Sequence, residues 1–310
     1  FLTIATFITC TSTAKQRPEG GWLWKISGNG LSHPSYLFGT YHGTYDILYQ
    51  YTDSIPELHQ AFNACSQFAG ESETTSKPTP AQVGAAIKLP KDTTYADLLN
   101  KEDFHFLDSI VRQSLKSPLN KVYIKPNFLA LILGEIEKGK KLVDTGYSQS
   151  RIDSMKSQVM DIALEKKAKE KGLTIVGLEG IFDAFVSEKS NLKKEADELI
   201  SDLREDDEIS PLSFVNTLSD VYRTQNMKSL IDFEVKVDSI FRTSPKLTEI
   251  GKRIREDLLK RRNLNWMNKI PELMKAQPTF IAVGVRHLPG KDGLIALLLE
   301  KGYQVEPIGL

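Results

Sequence analysis

Four short apolar runs in this chain close on a glycine, and each is followed within three residues by a side chain that can bind a metal or move a proton. They are Phe38-Gly39-Thr40-Tyr41-His42, Ala69-Gly70-Glu71, Val176-Gly177-Leu178-Glu179 and Val283-Gly284-Val285-Arg286-His287. A glycine inside a strand lets a ligand or another backbone approach closely, and a polar residue at the strand end can face a crevice. The flanking residues read as strands over 36–41, 67–70, 173–178 and 279–283, the last a continuous apolar run suited to burial on both faces. Short buried strands set far apart in sequence restrict the chain to folds that alternate strands with long helical stretches.

The intervening segments agree. An aromatic-rich strand over 22–26 lies between Gly20-Gly21 and Gly28-Asn29-Gly30, and makes a hairpin with 36–41. Asp53 is placed to cap a helix reaching Cys65, with Ile55, Leu58 and Phe62 on its apolar stripe. The loop 74–80 leads into a helical region over 81–142, whose segment 126–139 is apolar enough to predict burial. A helix over 157–171 stops at Gly172. Residues 181–275 are charged and helical in pattern, broken near Ser210-Pro211 and Ser244-Pro245. After strand 279–283, a helix begins at Asp292, runs through Leu294, Leu297 and Leu298, and ends at Gly302 before a last strand over 303–308, a βαβ-type unit. The expected fold is α/β: a central mixed β-sheet built from N- and C-terminal strand units, flanked by helices, with a large helical middle. Residues 1–20 read as the remnant of an export signal with a flexible tether, and 21–310 as one domain with helical insertions at about 81–170 and 181–275.

Composition removes several classes of function. Among 310 residues, 40 Lys plus Arg balance 40 Asp plus Glu, which argues against a basic nucleic-acid binder, and no nucleic-acid partner is expected. A hydrophobic content of 40% is too high for a disordered chain. Two cysteines exclude a disulfide scaffold, and Cys65 reads as buried and inert. H-E-x-x-H, G-x-S-x-G, G-x-G-x-x-G and P-loop motifs are all missing. Phe1 to Cys10 carries no charge and resembles the tail of a secretory h-region. Cys10 precedes a polar tether, as the acylated cysteine of a bacterial lipoprotein does. These features predict an extracytoplasmic protein (periplasmic, secreted or lipid-anchored at a bacterial cell envelope), with membrane attachment only through Cys10.

Of the five histidines, His33, His59 and His105 read as surface residues, which leaves His42 and His287. Neutral imidazole is a common metal ligand and a general base near neutral pH. Two histidines and one carboxylate make a three-ligand site with an open position for water, the hydrolytic arrangement. Glu71 and Glu179 are the carboxylates that follow glycine-ended strands.

Seven pieces in order resemble the TraB/GumN family, which includes the Tiki metalloproteases and shares a fold with erythromycin-esterase and ChaN-like proteins. They are 23–28, 36–42, Gly70-Glu71, Met160-Asp161, Gly177-Leu178-Glu179, Arg262-Asn263 with Trp266, and 283–290 with 302–305; the resemblance spans residues 20–310. It implies metal ligation by His42 and His287, with Glu71 as third ligand or as the base that deprotonates a water. Glu179, Arg262 and Asn263 would surround them, Arg262 facing a developing oxyanion. Arg262 and Asn263 have an equally weighted alternative as helix caps or partners of surface acids. Glu73, two residues beyond Glu71 on a strand-like segment, is the substitute acid, whereas Asp161 reads as a hydrogen-bonding residue. Arg286 departs from the family pattern, and a cation beside His287 would oppose a metal unless it points to the other face. The activity implied is that of a metal-dependent hydrolase, with peptides or proteins as substrates and Mn²⁺, Co²⁺, Zn²⁺ or Fe²⁺ as cofactor. A non-catalytic ligand- or haem-binding protein of the same fold, and a metal-free esterase-type hydrolase, stay open as alternatives.

Overall fold

The computed structural model describes residues 20–41, 56–73, 78–144, 146–148, 150, 159–183, 191–204 and 218–309. Strands β1 (Leu23–Gly28) and β2 (Ser35–Thr40) form the expected antiparallel hairpin, with Leu23 opposite Phe38. Its turn runs through Gly28, Asn29 and Gly30, all at positive φ, a conformation glycine and asparagine tolerate. With β3 (Gln67–Gly70), β4 (Thr174–Gly177), β5 (Thr279–Gly284) and β6 (Tyr303–Ile308) they build one sheet in the order β4-β3-β5-β2-β1-β6.

Strands β4, β3, β5 and β2 are parallel neighbours, while β1 runs antiparallel to both β2 and β6. The parallel set therefore delivers Thr40, Gly70, Gly177 and Gly284 to one edge of the sheet. Burial explains the order. Every residue from Thr279 to Val283 is buried, which suits the centre, whereas β6 exposes Gln304, Glu306 and Pro307 as an edge strand can. The C-terminal strand–helix–strand unit is present as expected, with its two strands apart in the sheet. Strand β6 lies parallel to β5 but across β2 and β1, because the places beside β5 are taken by β2 and β3.

Helix α1 (Pro56–Asn63) buries Leu58, Ala61 and Phe62 against the sheet; Asp53 and Ile55, expected at its start, lie outside the described residues. Phe62 meets Phe280 edge-on at 5.1 Å, and Phe280 stacks on Phe68 at 6.3 Å. Cys65 is buried beside them and donates its thiol to the Ala61 carbonyl; burial pushes that thiol up to about 12.

Helix α2 (Pro80–Ile87), which buries none of its residues, precedes a second core that lies among α3 (Tyr95–Leu98), α4 (Lys101–Leu115), α5 (Pro126–Asp144) and, after α6 (Met160–Glu170), α7 (Leu192–Arg204). It contains Tyr95, Leu107, Val111, Leu119, Leu129, Leu133, Leu199 and Ile200. Helix α5 is only half buried, against expectation. Leu129 and Leu133 face this core, but Leu131 and Val143 are 44% and 48% exposed. An apolar run along a helix covers more than the single stripe its neighbours can bury. No described helix is long and apolar enough to cross a membrane.

Helix α8 (Met227–Phe241) precedes a helical rod over 245–266. Ser244 caps its first segment, α9 (Pro245–Arg253), by accepting the Leu247 N–H, with Pro245 in the first turn; the break expected there is thus real. A π-helical stretch, Ile254–Lys260, then leads into α10 (Arg261–Trp266). Helices α11 (Ile270–Ala276) and α12 (Leu294–Glu300) flank β5 in sequence. The break expected at Ser210-Pro211 and the whole of 1–19, with Cys10, lie outside the described residues.

Candidate active site

Strand pairing sets two carboxylates side by side. Just beyond β3 and β4 two backbone bonds, Leu178 N–H to Gly70 O and Glu179 N–H to Glu71 O, still join the two chains, so Glu71 and Glu179 leave the sheet together. Gly177 is required there: a Cβ would sit 2.9 Å from the Glu73 nitrogen and 3.0 Å from the Glu179 oxygen. Glu71 Oε1 in turn accepts the Gly284 N–H at 2.7 Å, tying the exit of β3 to that of β5.

After Gly284 a 3-10 turn, Val285–His287, folds the chain over the end of β2. Gly39 makes this possible, since a Cβ on it would meet Val285 Cγ2 at 2.9 Å. The turn carries His287 inward to 3% exposure, with its ring 4.5 Å from that of Trp266. Arg286, beside it, forms a two-pronged ion pair with Glu234 of α8 at 2.5 and 2.8 Å. Its charge is thereby matched by Glu234; β5 ends at Gly284, so the 3-10 turn and not the expected strand alternation sets the direction of Arg286.

The remaining groups come from α10. Arg262, 8% exposed, donates through Nε to Glu179 at 2.9 and 3.2 Å and through Nη2 to both Glu71 and Glu179. Its Nη1 reaches the Leu258 carbonyl and lies 3.3 Å from His287 Nε2. The guanidinium stands 4.8 Å over the Trp266 ring, and Trp266 Nε1 donates to Glu179 Oε2. Burial pushes the Arg262 pKa down, but the hydrogen bonds and charges of Glu179 and Glu71 outweigh it, so the net direction is upward. Asn263, 2% exposed, lies 2.7 Å from His287 Nδ1 through Oδ1, and donates through Nδ2 to the carbonyls of His287 and Asp292. Neither residue caps a helix or meets a surface acid, which corrects that alternative.

Of the expected residues, Glu71, Glu179, Arg262, Asn263 and His287 converge, and His42 lies outside the described residues. Glu73 does not join them. Strand β3 ends at Gly70, so alternation stops before Glu73, which is exposed and borders a neighbouring cavity. Asp161 is a hydrogen-bonding residue as expected, accepting from Thr40 Oγ1 at 2.8 Å.

Two contributors escaped sequence reasoning. Tyr222 donates to the Gly39 carbonyl at 2.8 Å and stacks between Trp22 and Tyr41, holding the end of β2. The π stretch has no sequence signature; in it the Arg261 N–H reaches back five residues to Glu256 O, and this resets the helical phase just before Arg262 and Asn263.

The donor set can be tested against a divalent ion. His287 Nε2 and Glu71 Oε1 are 3.8 Å apart, a span that two ligand bonds of about 2.0–2.2 Å can bridge. Imidazole and carboxylate suit the metals named above. Glu179 is turned toward Arg262 and Trp266, and among the described residues no group of three His, Cys, Asp or Glu side chains converges on one point. The described residues thus offer a pair of donors that fits. Beside Glu179 opens a cavity of about 690 Å³, lined in part by Glu73, Ala85, Lys125, Ile181 and Phe182.

Fold and site together define an α/β protein with a buried Glu-Glu-Arg-Asn-His centre at the carboxyl edge of parallel strands. The chain belongs to the TraB/PrgY/gumN family, which it matches over residues 22–307. Among curated proteins it is similar to Metalloprotease TIKI2 of Danio rerio, with 22% identity across 96% of this chain. The chain spans only 62% of that relative's length. No solved structure matches it.

Proposed function

We propose that this chain is a metal-dependent hydrolase acting on peptides or proteins, with His287, Glu71 and His42 as the residues that would hold the ion. The observation that carries this reading is the pairing of His287 Nε2 with Glu71 Oε1 at 3.8 Å, at the rim of parallel strands, next to a cavity large enough for a peptide side chain. The bound ion would supply Lewis acidity and a water acidic enough to attack near neutral pH. The protein's own groups do the rest. Glu71 accepts the proton of the attacking water, and Arg262, whose Nη1 is held by the longer contacts to His287 at 3.3 Å and Leu258 at 3.4 Å, would turn that nitrogen to the oxygen on which negative charge develops. Glu179 and Trp266 hold Arg262 in place. The uncharged segment 1–10 supports action outside the cytoplasm, where Cys10 would be the attachment point.

Metal content of chelator-free protein, followed by peptide hydrolysis with the retained ion, tests the proposal. His287→Ala and His42→Ala should lose both metal and hydrolysis while keeping wild-type circular dichroism. Full activity in either folded variant would sink it.

A second reading is a metal-free hydrolase using His287 as base: the described residues bring two metal-ligating donors together rather than three, and a general base needs only Nε2. Hydrolysis that survives exhaustive chelation would select this alternative.

A further inference from the structure

Resting on the reading that His287 acts through Nε2, we propose that Asn263 is a positioning residue that locks His287 in the tautomer with the proton on Nδ1 and the lone pair on Nε2. The argument starts from Asn263. Its Nδ2 lies 3.1 Å from the carbonyl oxygen of His287 and 2.8 Å from that of Asp292. Only an NH₂ group can face two carbonyl oxygens; the flipped amide would set oxygen against oxygen twice. The orientation is therefore dictated by two backbone acceptors, and Oδ1 must be the atom 2.7 Å from His287 Nδ1. An amide oxygen only accepts, so Nδ1 must donate.

The other end of the ring leads independently to the same result. Within hydrogen-bond distance of Nε2 stands Arg262 Nη1 at 3.3 Å, a guanidinium with donors but no acceptor, while the Glu71 carboxylate lies beyond that distance at 3.8 Å. A proton on Nε2 would point at those donors, whereas a lone pair receives them. Burial of all three side chains, at 8% exposure or less, keeps water from substituting for either partner. The clasp also ties the end of the 3-10 turn to the chain beyond it. By binding the carbonyls of His287 and Asp292 from one amide, Asn263 holds both ends of the segment 287–292. Arg262 and Asn263, adjacent on α10, thus specify the two nitrogens of one ring in opposite senses.

Nitrogen-15 spectra of the histidine-labelled, metal-free full chain test this, with the His287 signal assigned by its loss in His287→Gln. Wild type should show a protonated Nδ1 and a bare Nε2 for His287. Asn263→Leu, of similar size without polar atoms, should lose that single tautomer, and Asn263→Asp, which keeps an acceptor, should retain the Nδ1 proton. Titration with Co²⁺ adds a second readout: affinity should fall about 10- to 100-fold in Asn263→Leu and less in Asn263→Asp. A proton on Nε2 in wild type, or an unchanged His287 spectrum in folded Asn263→Leu, overturns the proposal. If the tautomers behave as stated but wild type takes up no Co²⁺, the lock stands and the metal reading of the site fails. Should Asn263→Leu not fold, the wild-type and Asn263→Asp spectra still decide.

Discussion

The carboxyl edge of the sheet and the helical unit around α4 and α5 use polar groups in opposite ways. At the sheet edge the partners are distant in sequence: Arg262 reaches Glu179 and Glu71, 83 and 191 residues away, and Asn263 reaches His287. In the helical unit near neighbours are frequent, although Arg204 also reaches Glu102 and Asp103 of α4. Thr79 and Gln82 form a capping box, Thr94 pairs with Asp97, Asn100 caps α4 through Asp103, and Asp108 pairs with Arg112 one turn away. Local pairs hold their own helix ends and turns. Distant pairs hold strands and helices in a geometry that no single element would adopt alone, which is what a site built from several elements requires.

Breaking the long-range set should cost most. Arg262→Ala leaves Glu71 and Glu179 without their shared cation, and both carboxylates are less than one-fifth exposed. Unfolding in urea should show a loss of about 3–5 kcal/mol, with hydrolysis abolished. Adding Glu179→Gln should recover part of that stability but none of the activity. A double-mutant cycle that shows simple additivity would refute the coupling.

Glycines sharpen the contrast. Gly177→Ala drives a Cβ into the backbone at Glu73 and Glu179, so a loss of about 1–3 kcal/mol is expected, with hydrolysis reduced through displacement of Glu179. Gly134→Ala, in the middle of α5 with nothing within 4 Å of the added carbon, should instead stabilise by about 0.4–1 kcal/mol. Equal effects from the two would mean that the sheet edge is no tighter than the helix surface.

Asp108 tests the local set by pH. Its carboxylate is held below the usual range first by the Arg112 hydrogen bond and then by the Leu119 N–H. A folded value below the unfolded one stabilises the protein at pH above the unfolded value, about 3.9, and that contribution is lost as pH falls through the folded value. Asp108→Asn should therefore cost about 0.5–1.5 kcal/mol at neutral pH and flatten the acid limb of stability between those two values. Thermal melts from pH 7 to pH 2 would reveal it.

The smallest expected effect belongs to Cys65. With its thiol pushed up to about 12 by burial, it should resist disulfide reagents at pH 8 in the native state and react only on unfolding. Rapid native labelling would mean that the sheet core opens readily.

Much of the site was legible because its strand-end members announce themselves locally. Gly70-Glu71, Gly177-Leu178-Glu179 and Gly284 with His287 are apolar runs stopped by glycine, and their strands form where those runs end. Arg262 and Asn263 carry no such sign. They sit in a charged stretch of ordinary helical pattern, and only resemblance to a family singled them out. The exposed side of α5 departs from expectation for a related reason: hydropathy records what a segment can bury, not which neighbour is available to bury it.

Local sequence was enough for the six strands, the starts of α2, α5 and α9 and the glycines at the strand ends, because turns, caps and periodicity act over a few residues. Tertiary structure alone decided that β2, β3, β4 and β5 run parallel to a common edge. It alone chose Arg262 from 40 basic side chains to serve two acids, and fixed the amide of Asn263 against His287. Ion pairs and hydrogen bonds act over a few ångströms in space whatever the distance along the chain, so their partners exist only once the fold has brought them together.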